Sequence, residues 1–99
     1  MAVFAVTYHY VSDDDFINAH RPVHREYLRS LLNGGGLVAA GPTTGRATPS
    51  AQLVFEAESA EEVDALLDAD PFVVEGVVTS REIYEWNVAI GSLGGGSGH

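Results

Sequence analysis

Two hydrophobic periods alternate along this chain, and their order restricts its fold more than any other feature. Ala2 to Tyr10 puts Phe4, Val6, Tyr8 and Tyr10 on one face at period two, with Ala5, Thr7 and His9 on the other, so a strand with two unlike faces opens the chain. Ser12, Asp13, Asp14 and Asp15 form a capping cluster whose acids suit the positive end of a first helical turn. Pro22 sits where it would interrupt a long helix. A short helical turn over Asp13 to Ala19 is therefore expected, and a main helix restarting at Pro22 and running to Asn33, where Gly34, Gly35 and Gly36 stop it.

Leu37 to Gly41 reads as a short strand, Pro42 to Ser50 as a polar loop, and Gln52 to Ala57 as the next strand. Ser59 followed by Glu62 matches a capping box, in which hydroxyl and carboxylate satisfy each other's orphan backbone donors. A second helix should start there, bury Val63, Leu66 and Leu67, and end near Asp70, because Pro71 disfavours helical geometry in the residue before it. After a link through Gly76, Ser80 to Val88 alternates Glu82, Tyr84, Trp86 and Val88 against Arg81, Ile83 and Glu85. That is a last strand.

The order is βαββαβ, the split arrangement of the ferredoxin-like fold: a four-stranded antiparallel sheet with two helices on one face. A chain of 99 residues has room for one such domain, expected over residues 1–90, with a flexible Gly/Ser-rich tail over 91–99. Tyr, Trp and Val side chains on the strands outnumber what one helix-covered face can bury. A homodimer pairing two sheets face to face is the natural expectation.

Charge and cysteine usage remove several function classes. Five arginines and no lysine stand against fourteen acids, a formal net charge of −9, so phosphate backbones and anionic membranes are poor partners. Without cysteine there is no disulfide framework, no thiolate nucleophile and no Cys-based metal site. Met1 to Val11 has no basic n-region, and no apolar run approaches the roughly 20 residues that span a bilayer. A cytoplasmic protein binding neither nucleic acid nor membrane is expected.

Two polar residues stand on apolar helical stripes. His24 precedes Tyr27, Leu28 and Leu31 by three, four and seven positions, and Asp70 follows Val63, Leu66 and Leu67 by seven, four and three, so both point inward. Both helices cover the same sheet, and the imidazole and carboxylate can meet there. A carboxylate fixes the tautomer of a neighbouring imidazole and raises its basicity, which suits a general base working near neutral pH. Spacing alone favours a satisfied core histidine and an acid that ends its helix, since inward polar residues are common at helix ends.

Arg21, Pro22, Val23 and His24 with Tyr27 and Leu28, then Gly41 and Pro42, then Asp68, Ala69, Asp70, Pro71, Phe72 and Gly76 resemble the successive motifs of the YciI-like family, the YCII-related domain. The likeness runs from the opening strand to Trp86 and Asn87. It implies a ferredoxin-like protomer in a dimeric α+β barrel and a His–Asp dyad at His24 and Asp70. The best-understood member type eliminates HCl from a chlorinated hydroxyhydroquinone. By that resemblance the expected activity is cofactor-independent proton transfer, elimination or isomerisation, on a small aromatic or enolisable molecule. A non-catalytic ligand-binding or scaffolding homodimer is the alternative.

Arg21 begins the first motif and could orient an anionic or phenolic substrate through its fixed donors, with Tyr8 or His9 as further substrate-placing residues. Packing is the default role for Tyr8 and Trp86. Arg21, Arg25 and Arg29 recur at intervals of four and read as a solvated face beside Glu26. His20 and His24 share a spacing that can hold a metal ion, but Pro22 interrupts the geometry and no metal is expected.

Overall fold

The computed structural model describes residues 1–93. The elements are β1 (Ala2–Tyr10), α1 (Asp14–Ser30), β2 (Leu37–Thr43), β3 (Ser50–Ala57), α2 (Ala60–Asp68), α3 (Pro71–Val74) and β4 (Val78–Glu85). The strands form one antiparallel sheet in the order β2-β3-β1-β4, the ferredoxin-like order, with β1 and β3 central. The tail read as flexible lies, from Gly94 onward, outside the described residues.

Alternation on β1 is as expected. Phe4, Val6, Tyr8 and Tyr10 turn to the helices and join Ala51, Leu53, Phe55 and Ala57 of β3 in the core. Ile17 and Leu28 of α1, Val63 and Leu67 of α2, and Phe72 of α3 close over them. The Tyr27 hydroxyl donates to the Leu66 carbonyl at 2.6 Å and ties α1 to α2. Arg81 donates to Asp64 and to Asp68 at 2.7 Å each, fixing β4 to α2.

Pro22 does not divide the first helix. α1 runs unbroken from Asp14 to Ser30 with Pro22 inside it, and the Asp13 side chain caps its start by accepting from the Phe16 amide at 3.1 Å. An interior proline costs roughly 3 kcal/mol and one backbone hydrogen bond. Burial of Ile17 before it and of His24 and Leu28 after it on one stripe offsets that cost, so tertiary packing overrides the local signal. Val23, next to the buried His24, faces outward and is 57% exposed. The helix stops at Ser30, short of Asn33, because Asn33 and Gly34 adopt positive φ of 57° and 121°. Gly36 then lies so close to β3 that a Cβ would meet the Glu56 carbonyl oxygen at 2.8 Å.

Pro42 does not end its strand either: β2 extends through it to Thr43 and β3 begins at Ser50, two residues earlier than expected. An edge strand has one side free of ladder bonds, where proline is tolerated. Ser59 caps α2, its hydroxyl accepting from the Glu62 amide at 3.2 Å. That helix ends at Asp68, and the residues read as a link form the short helix α3, whose N-cap is Asp70. β4 begins and ends earlier than the alternation suggested, with Trp86 donating one further bond to the Val3 carbonyl at 2.7 Å.

Among the described residues no helix lies on the second face of the sheet. It carries Ala5, Thr7 and His9 of β1, Gln52 and Val54 of β3, and Glu82 and Tyr84 of β4. Tyr84 is 52% exposed and Trp86 42%. No helix among the described residues is long and apolar enough to cross a membrane.

Candidate active site

The two inward-pointing polar residues meet. His24 Nδ1 lies 2.8 Å from Asp70 Oδ1 and 3.1 Å from Oδ2, both residues buried, with Asp70 wholly inaccessible. α1 supplies the imidazole. The turn between α2 and α3 supplies the carboxylate, which also accepts from the Phe72 amide at 2.9 Å and from the Tyr8 hydroxyl at 2.9 Å. Convergent donors of this kind suit a carboxylate anion, which has acceptors and no proton of its own. A buried charge is retained only when paired and hydrogen-bonded in this way.

That network decides the tautomer. Tyr8 and the Phe72 amide present protons to Asp70, and the third contact is satisfied when His24 donates from Nδ1. Nε2 then carries a free lone pair. It makes no hydrogen bond within the described residues and is not enclosed. The ring is held flat against Phe72, with centroids 3.7 Å apart and planes 2° from parallel, and Phe72 meets Tyr10 edge-on at 5.2 Å. A stack on one side and a buried anchor at Nδ1 leave the imidazole little freedom to turn.

His24 opens onto a cleft lined also by Tyr10, Arg21, Arg25, Leu28 and Pro42. A water centre can explore about 60 Å³ of it, several times the roughly 10–15 Å³ one water requires. Burial, and next the Asp70 charge, push the Tyr8 hydroxyl far above its ordinary range, so Tyr8 remains a neutral donor. Burial pushes Tyr10 up to about 12, against the opposing pull of Arg21 and Arg25. Both guanidinium groups are thus felt at the cleft.

The other expected site residues fall in different places. Arg21 lines the cleft, and its Nε is buried without a hydrogen-bond partner. Tyr8 is fully buried and its hydroxyl is taken by Asp70, which makes it a support of the carboxylate and leaves it no contact with the cleft. His9 points through the sheet to the opposite face, where Nε2 lies 3.1 Å from Glu82. Strict alternation along β1 requires that separation. His20 turns its ring to Phe16, centroids 4.8 Å apart, and no three His, Asp or Glu side chains converge among the described residues. Phe72, Tyr10 and Arg25 were not singled out from the sequence as parts of this site. Phe72 had one usable signal, its place two residues after Asp70, where its amide can bond the carboxylate that caps it.

A four-stranded sheet in this order, covered on one face by helices that bring a histidine onto a buried aspartate, defines an α+β protein of the ferredoxin-like class with one candidate acid–base pair. The chain belongs to the YCII-related domain family, whose model matches residues 2–87. It is similar in structure to 5-chloro-2-hydroxyhydroquinone dehydrochlorinase (TftG) from Burkholderia phenoliruptrix AC1100, solved in complex with 2,5-dihydroxybenzoquinone. That match has a TM-score of 0.73 and 22% identity over 86% of this chain and 93% of that one. It is similar also to Atu4242 from Agrobacterium tumefaciens (TM-score 0.56, 14% identity, 90% and 94% covered). A third neighbour is a mutant of SnoaB, a cofactor-independent oxygenase from Streptomyces nogalater (TM-score 0.51, 10% identity, 91% and 94% covered). At these identities the neighbours establish the shared fold. A search of curated protein sequences gives no significant match.

Proposed function

We propose that this protein is a homodimeric enzyme that moves a proton with His24 as general base and acid, Asp70 as its buried counter-charge, on a small aromatic or enolisable substrate. The observation that carries the reading is the asymmetry of His24: Nδ1 is bound to a buried carboxylate and Nε2 is left free beside a cleft. In elimination, the substrate reacts as the tautomer whose chlorine-bearing carbon is sp3: Nε2 takes a proton as the O–H or C–H bond breaks, the freed electron pair forms the new double bond, and chloride departs with the C–Cl pair. In isomerisation the same proton returns to another carbon. Asp70 stabilises the imidazolium formed in between, and no other reactant is needed. Arg21 orients the substrate, Tyr8 holds Asp70, and His9 has no part in this cleft. The dehydrochlorinase activity named for TftG supports elimination as the reaction to try first.

Incubation with 5-chloro-2-hydroxyhydroquinone should release chloride. His24→Gln should lower kcat/KM by roughly 10²–10⁴-fold, the usual contribution of a positioned acid–base group, with little change in melting. A variant as active as the parent contradicts the assignment. A parent that binds the compound and never turns it over favours the alternative, a ligand-binding homodimer in which the same pair braces the helices.

The homodimer rests on the helix-free sheet face with its exposed Tyr84 and Trp86. Light scattering should give twice the 10.5 kDa chain mass. A monomer at micromolar concentration contradicts it.

A further inference from the structure

The arginines of α1 remain unexplained by proton transfer alone. Of the five in the chain, Arg81 is neutralised by Asp64 and Asp68. Arg21, Arg25 and Arg29 have no carboxylate within salt-bridge distance among the described residues, although the sequence holds fourteen acids. They stand one turn apart on α1, so their guanidinium groups form a row. Arg21 also keeps its Nε buried with no acceptor. A buried donor left without an acceptor costs about 1–3 kcal/mol. Such a donor is satisfied when an acceptor arrives from outside.

The row follows the groove that leaves His24. Arg25, Leu28, Ala40, Gly41 and Pro42 line both the His24 cleft and its continuation between α1 and β2, and that continuation, of about 290 Å³, adds Arg29 and Leu32. Leu28 of α1 and Ala40 and Pro42 of β2 give the groove apolar surface against which a ring can lie. Arg25 and Arg29, on either side of Leu28 in the α1 sequence, bring positive charge to it.

We propose that the α1–β2 groove is a carboxylate subsite: the substrate is an aromatic or enolisable acid whose ring reaches His24 while its carboxylate is held by Arg25, with Arg21 and Arg29 on either side. The proposal builds on the His24 reading and adds the charge of the substrate to it. Guanidinium donors match a carboxylate in pairs, and in a protein of overall negative charge this row gives an organic anion a local site of the opposite sign.

The test is an NMR titration of the full chain with 4-hydroxybenzoate and with 4-hydroxybenzamide, a neutral analogue of similar shape, following the His24 ring and the Arg25 side chain. The acid should bind about tenfold more tightly than the amide, a difference of about 1.4 kcal/mol. Arg25→Gln, at an exposed position, should reduce that preference to within about threefold, whereas Arg46→Gln, a loop arginine away from the groove, should leave it intact. Equal binding of acid and amide, a preference that survives Arg25→Gln, or equal losses in both variants overturns the subsite. If acid and amide bind equally and both shift the His24 ring, the proton-transfer reading stands and the subsite fails. If the acid is preferred through Arg25 and the His24 ring does not respond, the carboxylate contact stands, while the placement of the ring at His24 and the proton-transfer reading fail.

Discussion

Asp70→Asn should lower turnover by roughly 10²–10⁴-fold while the protein still folds, a loss comparable to removing the base itself. The native carboxylate accepts from the Phe72 amide and His24 Nδ1 at Oδ1, and from Tyr8 at Oδ2. An asparagine amide offers one acceptor oxygen and one NH2. If its oxygen takes the Oδ1 place, the His24 tautomer survives, but no anion faces the imidazolium that forms during reaction. If its NH2 takes that place, it confronts the Phe72 N–H and donates to Nδ1, so the histidine proton moves to Nε2 and the base is occupied. Either orientation fails, for different reasons. Chloride-release kinetics and a thermal melt of the same preparation check this, and a fully active, well-folded variant contradicts the role given to the charge.

Phe72→Ala should cost about 3–5 kcal/mol of stability, the range for deleting a buried ring, and lower Tm by more than about 10 °C in a chain of this size. Phe72 is buried at the junction of three elements: it stacks on His24 of α1, meets Tyr10 of β1 edge-on, and donates its own amide to Asp70. Removing it opens a cavity beside the imidazole and frees that ring to tilt. Activity should therefore fall further than the lost folded fraction explains. A melting shift below about 4 °C, which corresponds to under 1 kcal/mol, would show that the stack contributes little.

The topology and the pair at its centre were readable in the residues because each rests on a periodic signal. Period two on β1 sorted Phe4, Val6, Tyr8 and Tyr10 to the core, and helical spacing turned His24 and Asp70 inward toward one sheet. Proline misled in two places. Pro22 and Pro42 both mark breaks locally, yet α1 buries enough on each side of Pro22 to continue, and Pro42 lies on a sheet edge where a missing donor is harmless.

What the residues could not reveal depends on which elements become neighbours. Tyr8 belongs to the site as a brace for Asp70 across 62 positions of chain, a contact no local pattern encodes. The separation of His9 from that site was encoded, since adjacent strand residues face opposite ways, and only the assignment of the cleft to one face was missing. Arg25 and Arg29 read as a solvated stripe until the strand carrying Ala40 and Pro42 was placed beside them.

The most direct test of the whole account is a long-range proton–nitrogen NMR correlation of the His24 ring near neutral pH, without ligand and then with 2,5-dihydroxybenzoquinone. The account predicts that the neutral form of the ring carries its proton at Nδ1 and leaves Nε2 bare, and that the Nε2 resonance moves as the ligand is added. A neutral ring with its proton on Nε2, or an Nε2 resonance indifferent to the ligand, would contradict it.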